Sequence, residues 1–307
     1  MESYVFDSKG TAYELPVLLG WEFLHSMTEC DGFMVKLPIV EGLESRLSRA
    51  VEFRANHAGR TVFRGVVDEY ELTADGNGAV AVISGRGYGA YLMDNEAESA
   101  EYWNPAMQQI LDNHVYPWRI SRVRYKNMEC SGRFPVSSGK SQWKVLKEFC
   151  FFAGGITPRF DREGLLILDG GRGETVELSY AAITEQKIRK KCYGVFSHVL
   201  VKNTAAGVST LVENPGAVGL CRRVVTVPRY TQYDNMRHTG QYQIAQSKKD
   251  EDVMTIATPV MFAAFAGDRL VLKNSPLGIS GTFTVVTSRC TADASGGQTR
   301  LELIKEE

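Results

Sequence analysis

Apolar and polar residues alternate over much of the chain, the period of strands with one buried face. Arg60-Thr-Val-Phe-Arg-Gly-Val-Val67 is rich in β-branched and aromatic residues. Asp75-Gly-Asn-Gly78 supplies turn chemistry and Ala79-Val-Ala-Val-Ile83 continues the alternation, so the stretch predicts a hairpin. Near the other end, Asp268-Arg-Leu-Val-Leu272 precedes Gly281-Thr-Phe-Thr-Val-Val286, where Phe283 and Val285 share one face and Thr282 and Thr284 the other. Ser295-Gly-Gly297 then leads into alternating Thr299-Arg-Leu-Glu-Leu-Ile304, a second predicted hairpin. Strands are also predicted at 197–202 and 253–257.

The two hairpins share detail. Val66-Val67 is followed by Thr73-Ala74-Asp75, a glycine turn and an alternating strand; Val285-Val286 is followed by Thr291-Ala292-Asp293, a glycine turn and an alternating strand. Asp and Gly are common before turns, so Thr-Ala-Asp can recur by chance. Its placement at matching points of two hairpins favours duplication of one β-unit.

Between the ends the period lengthens. Asn104-Pro105 is expected to cap a helix in which Met107, Ile110, Leu111, His114 and Val115 recur at three and four residues. A second helix is expected from Ser141, with Trp143, Leu146, Phe149, Cys150 and Ala153 as its apolar stripe and Gly154-Gly155 as its end. After it, Ile156 to Phe160, the turn Asp161-Arg-Glu-Gly164 and Leu165-Leu-Ile-Leu168 predict a hairpin packed on the helices. A more polar third helix is expected near 238–249. The predicted fold is mainly β with an α+β insertion: a first β-barrel module over 1–95, the α+β module over 96–185, and a similar second β-barrel module over 186–307.

Composition narrows the function. The 307 residues carry 35 basic and 36 acidic side chains, a net charge of -1, which argues against holding a polyanion by phosphate neutralisation, and no specific nucleic acid is expected. An apolar fraction of 44% is that of a globular protein of two or three domains. No apolar run is long enough for a membrane-spanning helix, and the first 16 residues lack the plan of a signal peptide, so no membrane association is expected. The six cysteines, at 30, 130, 150, 192, 221 and 290, are too far apart for a local redox pair or zinc knuckle and are expected to be reduced and mostly buried.

No catalytic constellation emerges. His25, His57, His114, His198 and His238 are scattered, so no metal site is expected. Ser84-Gly-Arg-Gly-Tyr-Gly89 has its third glycine one place early for a dinucleotide loop. Ser137-Ser-Gly-Lys-Ser141 ends like a phosphate-binding loop, yet its leading glycine, Gly132, lies too far ahead, and a helix cap explains it better. Asp68, Glu69, Glu71, Glu96, Glu98 and Glu101 qualify as acid-base pairs by count alone, whereas acids on strands keep sheet edges soluble. Trp21, Trp103, Trp118 and Trp143 fit packing better than sugar stacking. No enzyme and no cofactor is expected.

The run from Phe63-Arg-Gly-Val-Val67 through Ser84-Gly-Arg86 and Leu92-Met-Asp94 to Asn104, Gln109-Ile110 and Pro117 resembles the late control protein D family. These are tail and baseplate hubs of contractile phages, prophages and related contractile injection systems. Trp143 to Phe149, Gly154-Gly155, Asp161 to Leu165, Ala266-Gly-Asp268 and Gly281 to Val285 extend the resemblance over about residues 55 to 304. The resemblance implies a homotrimeric ring whose two β-modules per chain line a channel. Such a ring joins a sixfold tail tube protein to a threefold spike protein, alongside other baseplate proteins. It implies a place in the virion tail or baseplate, assembled in the bacterial cytoplasm. Val62, Phe63, Val66, Phe283 and Val285 are the expected inter-subunit strand edges. A tail-associated peptidoglycan hydrolase and a glycan-binding adhesion module remain the alternatives.

Overall fold

Alternating burial yields the expected mainly β fold in a computed structural model, which describes residues 1–306 other than 77, 192, 230, 232, 249, 250, 274 and 276. The first strands are β1 (Glu2–Asp7), β2 (Ala12–Glu14), β3 (Gly20–Ser26), β4 (Gly32–Pro38), β5 (Ala50–His57), β6 (Arg60–Asp75) and β7 (Gly78–Gly87), with the short helix α1 (Leu43–Leu47) before β5. They pair in the order β3-β4-β7-β6-β5-β1-β2. Their inner faces bury Phe23, Phe33, Phe53 and Phe63, with the rings of Phe33 and Phe53 stacked at 4.1 Å.

The insertion comprises α2 (Gly89–Met93), β8 (Ala100–Trp103), α3 (Met107–His114), β9 (Val123–Tyr125), β10 (Arg133–Val136), α4 (Gln142–Gly154), β11 (Arg159–Phe160) and β12 (Leu166–Leu168). The stripes of α3 and α4 meet in one core containing Met107, Ile110, Leu111, Leu146, Phe149 and Cys150. Ser141 caps α4 as expected, its hydroxyl accepting the Lys144 N–H at 3.2 Å. The expected cap of α3 is displaced. Ala106 occupies the cap, while Asn104 is left-handed (φ 47°) and its side-chain carbonyl accepts the Gly132 N–H at 2.7 Å. The competing bond to β10's approach wins over capping.

The last part holds β13 (Thr175–Ser179), β14 (Glu185–Lys190), β15 (His198–Asn203), β16 (Val208–Glu213), β17 (Arg222–Thr226), α5 (Tyr233–Lys248), β18 (Asp252–Thr258), β19 (Arg269–Lys273), β20 (Gly281–Asp293) and β21 (Gly296–Lys305). The third helix thus begins earlier than expected, and the expected end at Lys249 lies outside the described residues. Strands β15, β16 and β17 form their own sheet, on which Met236 and Ile244 of α5 pack against Val199 and Val201. β13 pairs in parallel with β19, so a strand ahead of the expected boundary at 186 joins the second module.

The two modules repeat one ladder. Val67 faces Gly85 as Val285 faces Leu303; Glu69 faces Ser84 as Thr287 faces Glu302; Asp75 faces Gly78 as Asp293 faces Gly296. A single offset in numbering relates all three pairs. Both hairpins skip one residue, Asp68 in the first and Val286 in the second, so the β-bulge is repeated too. Gly78 and Gly296 both have φ 127°, which only glycine adopts without strain. The duplication inferred from the sequence stands, shifted by one residue: Val67, rather than Val66, matches Val285. The neighbours also correspond, β3-β4-β7-β6-β5 against β14-β18-β21-β20-β19. The copies diverge at the next strand, since β1 runs antiparallel to β5 and β13 parallel to β19.

The Ser84-Gly-Arg-Gly motif serves this ladder. A methyl at Gly85 would lie 1.9 Å from the Val66 carbonyl oxygen, and one at Gly65 would lie 2.1 Å from that of Arg86. Backbone cannot yield as a side-chain tip can, so Gly85→Ala is expected to cost about 2–4 kcal/mol. Gly76→Ala, with open space at the hairpin tip, should leave the thermal midpoint within about 1–2 °C of the parent. Equal midpoints for the two variants would refute the crowding.

His114 titrates against the fold. Its Nδ1–H donates to Gln142 Oε1 at 2.7 Å, its Nε2 accepts the Tyr102 hydroxyl at 2.9 Å, and burial holds it below the ordinary histidine range. The folded state therefore binds this proton less readily than the unfolded chain. The neutral ring's contribution is fully present above about pH 6.5 and is lost as pH falls below it. Denaturant titrations at pH 7 and 5 should show a smaller loss for His114→Gln than for the parent.

Candidate assembly edges

A sheet built from two like modules must join them, and the join is one strand ladder. The first half of β20 pairs with β19; the second half turns to β3, from Thr287 opposite Ser26 to Ala292 opposite Trp21. Both modules thereby belong to a single 13-stranded sheet. At the seam's centre Cys290 and Phe23 face each other, 1% and 0% exposed. Across its outer face Arg289 ion-pairs with Glu22. Ser288 donates to the Ala264 carbonyl at 2.6 Å, and Asp31 accepts the Ser26 N–H at 2.8 Å. This is the packing of a domain interior.

Two edges that correspond to the strands of the seam have no partner there among the described residues. Residues 69–74 of β6 pair with β7 on one side, and among the described residues no strand pairs with them on the other. They expose Glu69, Glu71, Leu72, Thr73 and Ala74. β14 ends the sheet order, paired among the described residues with β18 alone, and exposes Lys187, Ile188, Arg189 and Lys190. One edge is acidic and the other basic. Each carries one large exposed apolar residue, Leu72 and Ile188, both 38% exposed.

The five residues expected at inter-subunit strand edges differ in their pairing. All five side chains are buried. Val66 pairs with Glu52 and Arg86 on its two sides, and Phe283 with Leu270 and Lys305. Val285 pairs with Leu303 and exchanges backbone bonds with Gly267 and Asp268. Phe63 faces Ala55 and Val62 sits beside it at a bulge, in a stretch paired with β5 alone. Strong alternation marked the residues that fill cores, which are the least available to a partner.

Several of the remaining candidates have structural partners. Arg86 forks between Asp68 and Asp94 at 2.7 Å each, which holds the Asp94 carboxyl below its usual range and braces the bulge. Glu101 pairs with Arg133. Trp143 stacks on Phe160, whereas Trp103 is 60% exposed. Cys130, Cys150 and Cys290 are buried and Cys30 and Cys221 half-buried, all free thiols; burial pushes Cys150 up to about 12. Cys192 lies outside the described residues. Among the described residues no three His, Cys, Asp or Glu gather as a metal site, and no helix is long and apolar enough to cross a membrane.

No protein-family model and no curated protein matches the chain. Solved structures do. A tail protein from Neisseria meningitidis MC58 superposes with a TM-score of 0.79 at 16% identity, over 99% of this chain and 96% of that one. The 43 kDa tail protein of prophage MuSo2 from Shewanella oneidensis gives 0.79 at 15%, over 99% and 98%. The E. coli c3393 protein is a component of the type VI secretion system with structural similarity to the T4 bacteriophage tail proteins gp27 and gp5. It gives 0.62 at 11%, over 94% and 74%. At these identities the likeness is one of fold, and the fold of this chain is that of phage and prophage tail proteins.

Proposed function

We propose that the chain is a structural hub of a phage, prophage or phage-derived tail, forming a homotrimeric ring between a sixfold tail tube and a threefold spike. The observation that carries this reading is the repeated ladder with its heterologous seam. Two like modules joined head to tail leave one unmatched edge of each kind. Repeating the join between copies either closes a ring or runs on as a filament, and closure removes both edges. Three copies of a two-module chain present six near-equivalent units on one face while keeping threefold symmetry overall. Such a ring meets a hexameric tube and a trimeric spike without a symmetry mismatch at either side.

The fold shared with tail proteins supports that role, and three of the candidate groups have structural partners, Asp68 in an ion pair with Arg86, Glu101 in one with Arg133, and His114 in a hydrogen bond with Gln142. Tube protein, spike protein and other baseplate proteins are the proposed partners, in a virion tail assembled in the bacterial cytoplasm. Light scattering behind a sizing column, over a concentration series, is expected to give three times the mass of one chain. A monomer at every concentration, together with no ring in mixtures with its tube and spike partners, overturns the reading.

A further inference from the structure

We infer that residues 69–74 of β6 in one copy pair antiparallel with β14 of the next copy, in the register Tyr70–Lys190, Glu71–Arg189, Leu72–Ile188, Thr73–Lys187 and Ala74–Gln186. The inference rests on the ring reading and adds to it which strands meet and how they align. The register follows from the repeat. The offset that carries β6 onto β20 places Glu71 at Arg289 and Leu72 at Cys290. The ladders β4-β7 and β18-β21 carry Val35 onto Ile256 and Phe33 onto Met254. Their outer partners then place Trp21 at Gln186, Glu22 at Lys187 and Phe23 at Ile188. Transferring the observed seam, in which Arg289 faces Leu24 and Cys290 faces Phe23, yields the register without adjustment.

The side chains fit that register. Leu72 and Ile188 take the places of Cys290 and Phe23, so two half-exposed apolar residues would be covered as their counterparts already are. Glu71 falls opposite Arg189 and diagonal to Lys187. The diagonal is the one occupied in the seam by Arg289 and Glu22, with the signs exchanged. That exchange separates the two joints. An edge β6 laid against β3 would set Glu71 beside Glu22, and β14 laid against β20 would set Lys187 beside Arg289. The occupant is therefore a second copy of this chain offering the complementary edge.

The test mixes two full-length chains, one carrying Leu72→Cys and the other, isotopically labelled, carrying Ile188→Cys, and treats them with a short bismaleimide. Mass spectrometry should find peptides bridging 72 and 188 from differently labelled chains, and few from Leu72→Cys mixed with Val218→Cys, an exposed position outside the inferred register. Glu71→Arg should raise the concentration at which the assembly dissociates by about tenfold, and adding Lys187→Glu and Arg189→Glu should bring it back to within about threefold. A trimeric mass without the 72–188 bridge, or a charge exchange that rescues nothing, overturns the register and leaves the ring standing. A monomeric mass without the bridge, persisting in mixtures with the tube and spike partners, overturns both.

Discussion

An unpaired strand edge is the constraint around which this molecule is organised. Every backbone N–H and C=O on such an edge must find a partner or stay in water, and a long edge invites whichever strand arrives first. The chain meets the constraint once internally, where β20 leaves β19 and takes β3. The change of partner falls at the β-bulge, where the skipped Val286 twists the strand and re-aims its second half. Since the first hairpin carries the same bulge at Asp68, it re-aims β6 the same way, toward a side on which no strand pairs with it among the described residues.

The two copies of the ladder share hydrogen bonding while differing in filling. Gly85 and Gly65 let backbone approach backbone in the first hairpin, and Leu303 and Phe283 stand at the equivalent places in the second, buried in its core. What persisted through the duplication is therefore register, bulge and turn, and what drifted is side-chain volume. That order is physically sensible. A one-residue slip moves every side chain to the wrong face, whereas a change of volume at a core position is absorbed by its neighbours at modest cost.

Local patterns in the sequence were readable because their causes are local. Period-two alternation located β6, β7, β20 and β21, and the Ser141 and Gly154-Gly155 signals bounded α4. The seam has no local cause: Thr287 and Ser26 are joined by topology, and no window of sequence contains both. The choice of edge residues has a related reason. Val62, Phe63, Val66, Phe283 and Val285 stand out because they are apolar and regular, which is the signature of a core. The exposed stretch from Glu69 to Ala74 and the basic strand β14 are polar and read as ordinary surface. Acids at 69 and 71 read as solubilising charge on a strand rather than as a docking surface, and β14 sits where the sequence offers no strand alternation.

The net charge of -1 conceals that segregation, because an acidic edge and a basic edge cancel in any sum over the chain. Charge on an open edge is ordinarily protective, since like edges then repel and indiscriminate stacking is suppressed. On the proposed pairing the same charges have a second consequence. Two copies meeting through equivalent edges would oppose acid to acid or base to base, whereas the unlike edges attract over the last few ångströms of approach. Protection against aggregation and selection of the one productive joint are then a single property, and the alternation of signs between the internal seam and the external one keeps each strand with its own partner.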